Sequence, residues 1–166
     1  MAILTTSGRS AVAASIKDEI LYLAWGNGLI GWDALTPEEY APLTSDDDLE
    51  AEVGRRLVEV CQYCVSNAGG DIVFPGNDRH SVPATPTGKL YIKVLFDFGD
   101  ASDQEIRETA LFQGTVPASG HESDKYLAIA DVATKGILLT LDRIPKITRN
   151  ANNREVVGLV RAWVAA

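Results

Sequence analysis

The chain has 166 residues, 46% of them hydrophobic and 23% charged, and carries a formal net charge of −8. That length and balance suit one globular domain with a sizeable core and exclude whole-chain disorder. The acidic balance, without any Lys/Arg cluster, excludes nucleic acid as a natural partner, and no apolar run approaches the roughly 20 residues that span a bilayer.

The N-terminus has no charged region followed by a long apolar core, so it is not a secretory leader, and synthesis and folding in a cytoplasm are expected. Thr5, Thr6 or Ser7 can cap a first helix. Val12, Ile16 and Ile20 recur along one stripe of it, with Arg9, Lys17 and Asp18 on the polar face. The helix is expected to end near Glu19 or Ile20, where Leu21–Trp25 begins a short apolar strand closed by Gly26-Asn27-Gly28.

Residues 29–48 read as a long loop broken by Pro37 and Pro42, which hints at a binding or inter-subunit role. The acid run Ser45-Asp46-Asp47-Asp48-Leu49-Glu50 resembles a helix N-terminus, its carboxylates matched to the positive end of the dipole, with Gly54 ending the helix. It lacks the glycine and distal glutamate of a calcium loop. Arg56–Val65 is assigned as a strand on its β-branched and aromatic content. Asp71–Phe74 is a short strand, and residues 77–88, with His80, Pro83 and Pro86, are irregular.

Lys89–Phe98 is the clearest strand. Leu90, Ile92, Val94, Phe96 and Phe98 share one wholly apolar face, which must meet the core. A turn through Asp100 leads to the strand Glu105–Phe112 and predicts an antiparallel pair. On that second strand Ile106, Glu108, Ala110 and Phe112 share a face. A carboxylate in such a row is costly without a partner, and Arg55 and Arg56 are the first candidates to pair with Glu108. Tyr126–Val132, Gly136–Leu141 and Ile144–Thr148 read as further strands. The segment Asn153–Val164 fits either a helix or a strand; Gly158 and its valines favour the strand.

Chemistry-bearing patterns are sparse. Cys61 and Cys64 form one C-x-x-C, but zinc needs four ligands and there is no second C-x-x-C and no H-x-x-x-H. Two ordinary apolar cysteines are the expectation. His80 and His121 fall in loops with no acid–nucleophile spacing, and no glycine pattern completes a phosphate cradle. Neither an enzyme, a cofactor nor a metal is expected.

Two segments nevertheless form a recognisable pair: Thr5–Ile20 leading into Leu23-Ala24-Trp25-Gly26-Asn27-Gly28, and Ile106-Arg107-Glu108-Thr109-Ala110-Leu111-Phe112. Together they resemble the N-terminal domain of bacteriophage tail-collar fibre proteins, over roughly residues 3–28 and 88–115. Ala110 stands where that family has glycine, and the chain ends at Ala166 without a repetitive shaft or tip. The resemblance implies an attachment module in the virion, anchoring fibres or building a collar, neck or baseplate with other virion proteins.

The resulting expectation is one domain over residues 1–166, of α+β class. Its N-terminal helix packs on a mainly antiparallel β-sheet or small sandwich with long loops. It works as a homo-oligomeric virion protein without nucleic-acid or membrane partners. Trp32 and Tyr40 are candidate interface residues, because interfaces are enriched in Trp and Tyr, and the His80 and His121 loops are secondary surfaces. A small host-receptor or glycan-binding module is the alternative.

Overall fold

A computed structural model describes residues 3–162. In chain order the elements are α1 (Thr6–Lys17), β1 (Leu21–Gly26), β2 (Glu52–Leu57), β3 (Val60–Tyr63), β4 (Val65–Ser66), β5 (Ile72–Val73), β6 (Arg79–Ser81) and β7 (Lys89–Phe96). They continue with β8 (Glu105–Gln113), β9 (Val116–Pro117), β10 (Tyr126–Ala128), β11 (Val132–Thr134), β12 (Ile137–Thr148) and β13 (Glu155–Ala162). Short 3-10 turns cover Ile30–Ala34, Pro75–Asn77 and Ile129–Asp131. One helix and mostly antiparallel strands agree with the α+β expectation.

The chain divides into two compact units, one from residues 3–19, 59–94 and 156–162, the other from residues 20–58 and 95–155. In the first, Thr5 caps α1 by accepting a hydrogen bond from the Gly8 amide at 3.1 Å. The buried residues of α1 are Ala13 and Ile16, and the helix lies against β3. The buried stripe is therefore offset from the expected one: Val12 and Ile20 are exposed. Two three-stranded sheets complete this unit, ordered β13-β7-β3 and β4-β6-β5. Leu90, Ile92, Val94 and Phe96 of β7 are fully buried, as their alternation requires. Phe98 departs from that row and is 44% exposed, because the strand stops at Phe96. The C-terminal segment is a strand as expected, while Trp163 and Val164 lie outside the described residues.

The second unit is built on a five-stranded sheet ordered β10-β2-β1-β8-β12. All six residues of β1 are buried, and β8 is buried from Ile106 to Phe112. A strand buried on both faces has no polar side to show, so the alternation expected for β8 conveys no in–out pattern. Ala24, Ala110, Leu49 and Phe112 pack together, with Leu138 and Leu141 against them. Trp25 is fully buried and stacks on Phe96, ring centroids 3.5 Å apart.

Three expectations fail for local reasons. β7 and β8 do not form a hairpin: β7 pairs with β3, and β8 pairs with β1 and β12. The connecting loop holds Ala101 and Asp103 at positive φ, and Asp100 accepts from the Asp97 amide at 2.6 Å. It is too long and irregular to act as a tight turn. The acid run at 45–50 forms no helix, and Gly54 lies inside β2. Its aspartates bond elsewhere: Asp46 accepts from the Leu43 amide at 2.9 Å and Asp48 from the Leu49 amide at 2.9 Å. Such side-chain-to-backbone bonds compete with helix formation. Finally, the two strands expected at 136–148 are one strand, β12, whose register shifts between Leu138 and Thr140 and between Arg143 and Ile147. The second irregularity accommodates Pro145, which has no ladder donor.

Candidate interaction site

The Gly26-Asn27-Gly28 turn and the Ile106-Arg107-Glu108 strand pack directly on each other. In the register of β1 against β8, Gly26 stands opposite Glu108. A Cβ on Gly26 would lie 2.7 Å from Glu108 Cγ and 2.9 Å from Cδ, and closer still to Oε1. The missing side chain thus makes room for a fully buried carboxyl group. Glu108 Oε1 accepts from the Ala51 amide at 3.0 Å, whereas Oε2 has no hydrogen-bond partner among the described residues. Burial pushes this carboxyl above its ordinary range, opposed by the backbone amides of Ala51 and Glu50 and by the charge of Arg143.

The expected pairing of Glu108 with Arg55 or Arg56 is corrected. Arg55 binds Glu52 through two parallel bonds of 2.8 Å and donates to Thr115 Oγ1 at 2.7 Å and the Lys135 carbonyl at 2.6 Å. Four of its five N–H donors are thus committed, and its guanidinium lies 4.1 Å from the Phe112 ring centroid. Arg56, one residue on, points to the other face of the strand and pairs with Asp100. The cation opposite Glu108 is Arg143 of β12, a neighbour fixed by strand pairing that sequence reasoning missed.

Arg107, on the other side of β8 from Glu108, organises the loop that follows Gly28. Its Nε and Nη2 donate to the two carboxylate oxygens of Asp33 at 2.7 and 2.8 Å, and Nη2 also reaches Glu105 at 2.6 Å. Nη1 donates to the Asn27 carbonyl at 3.2 Å. Lys146 approaches Glu105 at 3.2 Å and Asp33 at 3.5 Å. Hydrogen bonding to Arg107 holds the Asp33 carboxyl down at about 2. Gly28, at φ +56°, permits the turn and lets Trp32 come close: a Cβ there would lie 2.8 Å from Trp32 Cε3 and 3.2 Å from Arg107 Cβ.

Trp32 stacks on Tyr40 at 5.8 Å, and the Arg143 guanidinium lies 4.7 Å from the Trp32 ring centroid. Arg143 further donates to the Tyr40 and Ala41 carbonyls, both at 3.2 Å, and pairs with Asp46 at 3.1 Å. Between these walls lies a groove of about 350 Å3, lined by Trp32, Leu35, Tyr40, Ile144 and Pro145, with Asp33, Arg107 and Lys146 at its polar side. Beside it Leu29 is 51%, Ile30 78% and Leu35 43% exposed. The long loop is therefore held through its carboxylates by the buried Arg107 and the largely buried Arg143, and presents aliphatic side chains outward.

The other candidates divide. Trp32 is half-buried at the groove, but Tyr40 is only 8% exposed and serves mainly as its wall. His80 lies on β6, not in a loop, and is 4% exposed beneath Phe74, which corrects its expected place on a surface. His121 does lie at the surface, between Asp124 at 2.9 Å and Asp131 at 3.4 Å, and those carboxylates push its pKa up. Cys61 and Cys64 are free thiols in the first unit, Cys64 fully buried; burial pushes Cys61 up to about 11. Among the described residues no group of three or more His, Cys, Asp or Glu could hold a metal ion, and no helix is long and apolar enough to cross a membrane.

The loop thus carries exposed aliphatic side chains of the kind that mark interaction surfaces. Over residues 1–161 the chain matches the family Baseplate wedge 3 tail fiber network component, and it belongs to that family. It is thus a bacteriophage baseplate protein, a part of the virion that works among other virion proteins. The narrower likeness to tail-collar fibre proteins is not what the family match specifies. No curated protein matches the chain in sequence.

Proposed function

We propose that this protein is a non-enzymatic structural component that attaches fibres to the baseplate wedge. It makes its protein–protein contacts with other virion proteins through the loop around Trp32, and assembles as a homo-oligomer in the host cytoplasm through a different face. The observation that carries this reading is the pairing of exposure with rigidity: Leu29, Ile30 and Leu35 face outward on a loop whose Asp33 is gripped by buried Arg107. Rigid apolar groups lose little entropy on binding, which favours stable assembly. The two segments that resemble fibre-attachment domains supply that grip, since Gly28 packs on Trp32 and Arg107 binds Asp33 and the Asn27 carbonyl. A glycan-reading platform is the weaker reading, because the Trp32 ring is already engaged by Gly28, Tyr40 and Arg143.

A phage genome with an early stop codon in this gene tests the attachment role. Electron microscopy of the particles should show tails whose baseplates lack fibres. Particles with a full set of fibres would refute it.

A further inference from the structure

Residues 27–54 contain eight Asp and Glu and no Lys or Arg, which leaves fifteen acids against fifteen cations in the rest of the chain. The entire net charge of −8 thus resides in the segment that carries the groove loop. Five of the eight acids are matched internally: Asp33 by Arg107, Asp46 and Glu50 by Arg143, Asp48 by Lys135, and Glu52 by Arg55. Glu38, Glu39 and Asp47 are exposed and have no cationic partner among the described residues. Glu38 and Glu39 lie in sequence between Leu35 and Tyr40, two residues that line the groove. Both are exposed, Glu39 also accepting from the Thr36 amide at 2.7 Å and from Thr36 Oγ1 at 3.0 Å, so the short loop segment that supplies two walls of the groove carries carboxylates with no cation beside them among the described residues.

Resting on the attachment role above, we propose that this groove receives an aliphatic side chain from a segment of another virion protein, flanked there by Lys or Arg. The aliphatic group fills the space between Leu35, Tyr40, Ile144 and Pro145. The flanking cations meet Glu38 and Glu39 on the exposed segment between Leu35 and Tyr40, as electrostatic complementarity requires. The charged groups that line the groove are already paired, Arg107 and Lys146 with Asp33 and with the adjoining Glu105, so the unpaired carboxylates of Glu38 and Glu39 set the sign of the partner.

The test uses whole virions in which Ile30 of the full chain is replaced by a photo-crosslinking residue, with the crosslinked peptide read by mass spectrometry. The proposal expects a peptide of a different virion protein, net positive and containing an aliphatic residue. In parallel, Glu38→Lys should lower incorporation of the chain into virions by about tenfold, and Glu38→Gln by less, with unchanged thermal unfolding of the purified chain. A neutral or acidic peptide, a crosslink to a second copy, no crosslink, or unchanged incorporation of Glu38→Lys each overturns the proposal while leaving a fibre-attachment role standing. Absence of the chain from virions overturns both.

Discussion

Replacing Gly26 with alanine tests the lock between the glycine turn and the buried glutamate. Gly26 is not among the glycines at positive φ, so alanine is compatible with its backbone. The obstacle is steric: the new Cβ would fall 2.7 Å from Glu108 Cγ and 2.9 Å from Cδ, where a relaxed carbon contact needs about 3.5 Å or more. Overpacking of this kind costs about 1–3 kcal/mol. In a chain of this size that corresponds to a fall in melting temperature of roughly 2–12 °C. The decisive form is a double-mutant cycle. Glu108→Ala alone leaves the Ala51 amide without its acceptor, at about 1–3 kcal/mol. In that background the clashing atoms are gone, so adding Gly26→Ala should be neutral or stabilise by about 0.5 kcal/mol through the unfolded chain. Urea denaturation followed by fluorescence of the buried Trp25 measures all four corners. Equal costs for Gly26→Ala in both backgrounds would refute the steric argument.

Three further predictions follow from titrating groups. Burial raises the Glu108 carboxyl in the folded state, so its favourable contribution is full below the unfolded value and is lost as pH rises through the folded one. Glu108→Gln does not ionise, and its melting temperature should therefore gain on that of the native chain as pH increases from 4 to 8; a constant difference would count against a buried carboxyl. Asp33 is lowered, so the sign reverses: its contribution is present above the ordinary value of 3.8 and is lost as pH falls towards about 2. Trp32 fluorescence should change over that interval in the native chain but not in Asp33→Asn, where an unchanged native signal would be the contrary result. Cys61, pushed up to about 11, should have a thiolate fraction at pH 8 about a hundredfold below that of an ordinary thiol, and iodoacetamide labelling should slow accordingly; ordinary labelling rates would place Cys61 in a more polar setting.

Much of the scaffold was legible from periodicity. The apolar alternation of Leu90 to Phe96 and the capped helix after Thr5 are local signals, and both elements form where those signals place them. The acid run at 45–50 misled because the same aspartates that suit a helix N-terminus also suit loop amides and distant cations; Arg143, which captures Asp46, lies almost a hundred residues away. The surroundings of Glu108 are hidden from the sequence for a related reason. Arg55 and Arg56 were close to a predicted strand, but pairing order decides proximity, and a bulge between Trp25 and Gly26 brings Glu52 into line with Arg55 instead. At the site, Trp32 was visible as an aromatic in a long loop. The residues that pin it, Asp33, Arg107 and Arg143, converge from three separate segments, and no spacing in one sequence records such a meeting. The stretch of eight acids without a cation was the one readable sign of a polarised surface.

Cryo-electron microscopy of intact virions, with the chain traced into the map, tests the central claim most directly. The account predicts density for this protein within the baseplate, with Leu29, Ile30 and Leu35 covered by another virion protein. A map in which the chain occupies the baseplate but leaves those side chains facing solvent would contradict the proposed contact surface. A virion that lacks the chain altogether would contradict its structural role.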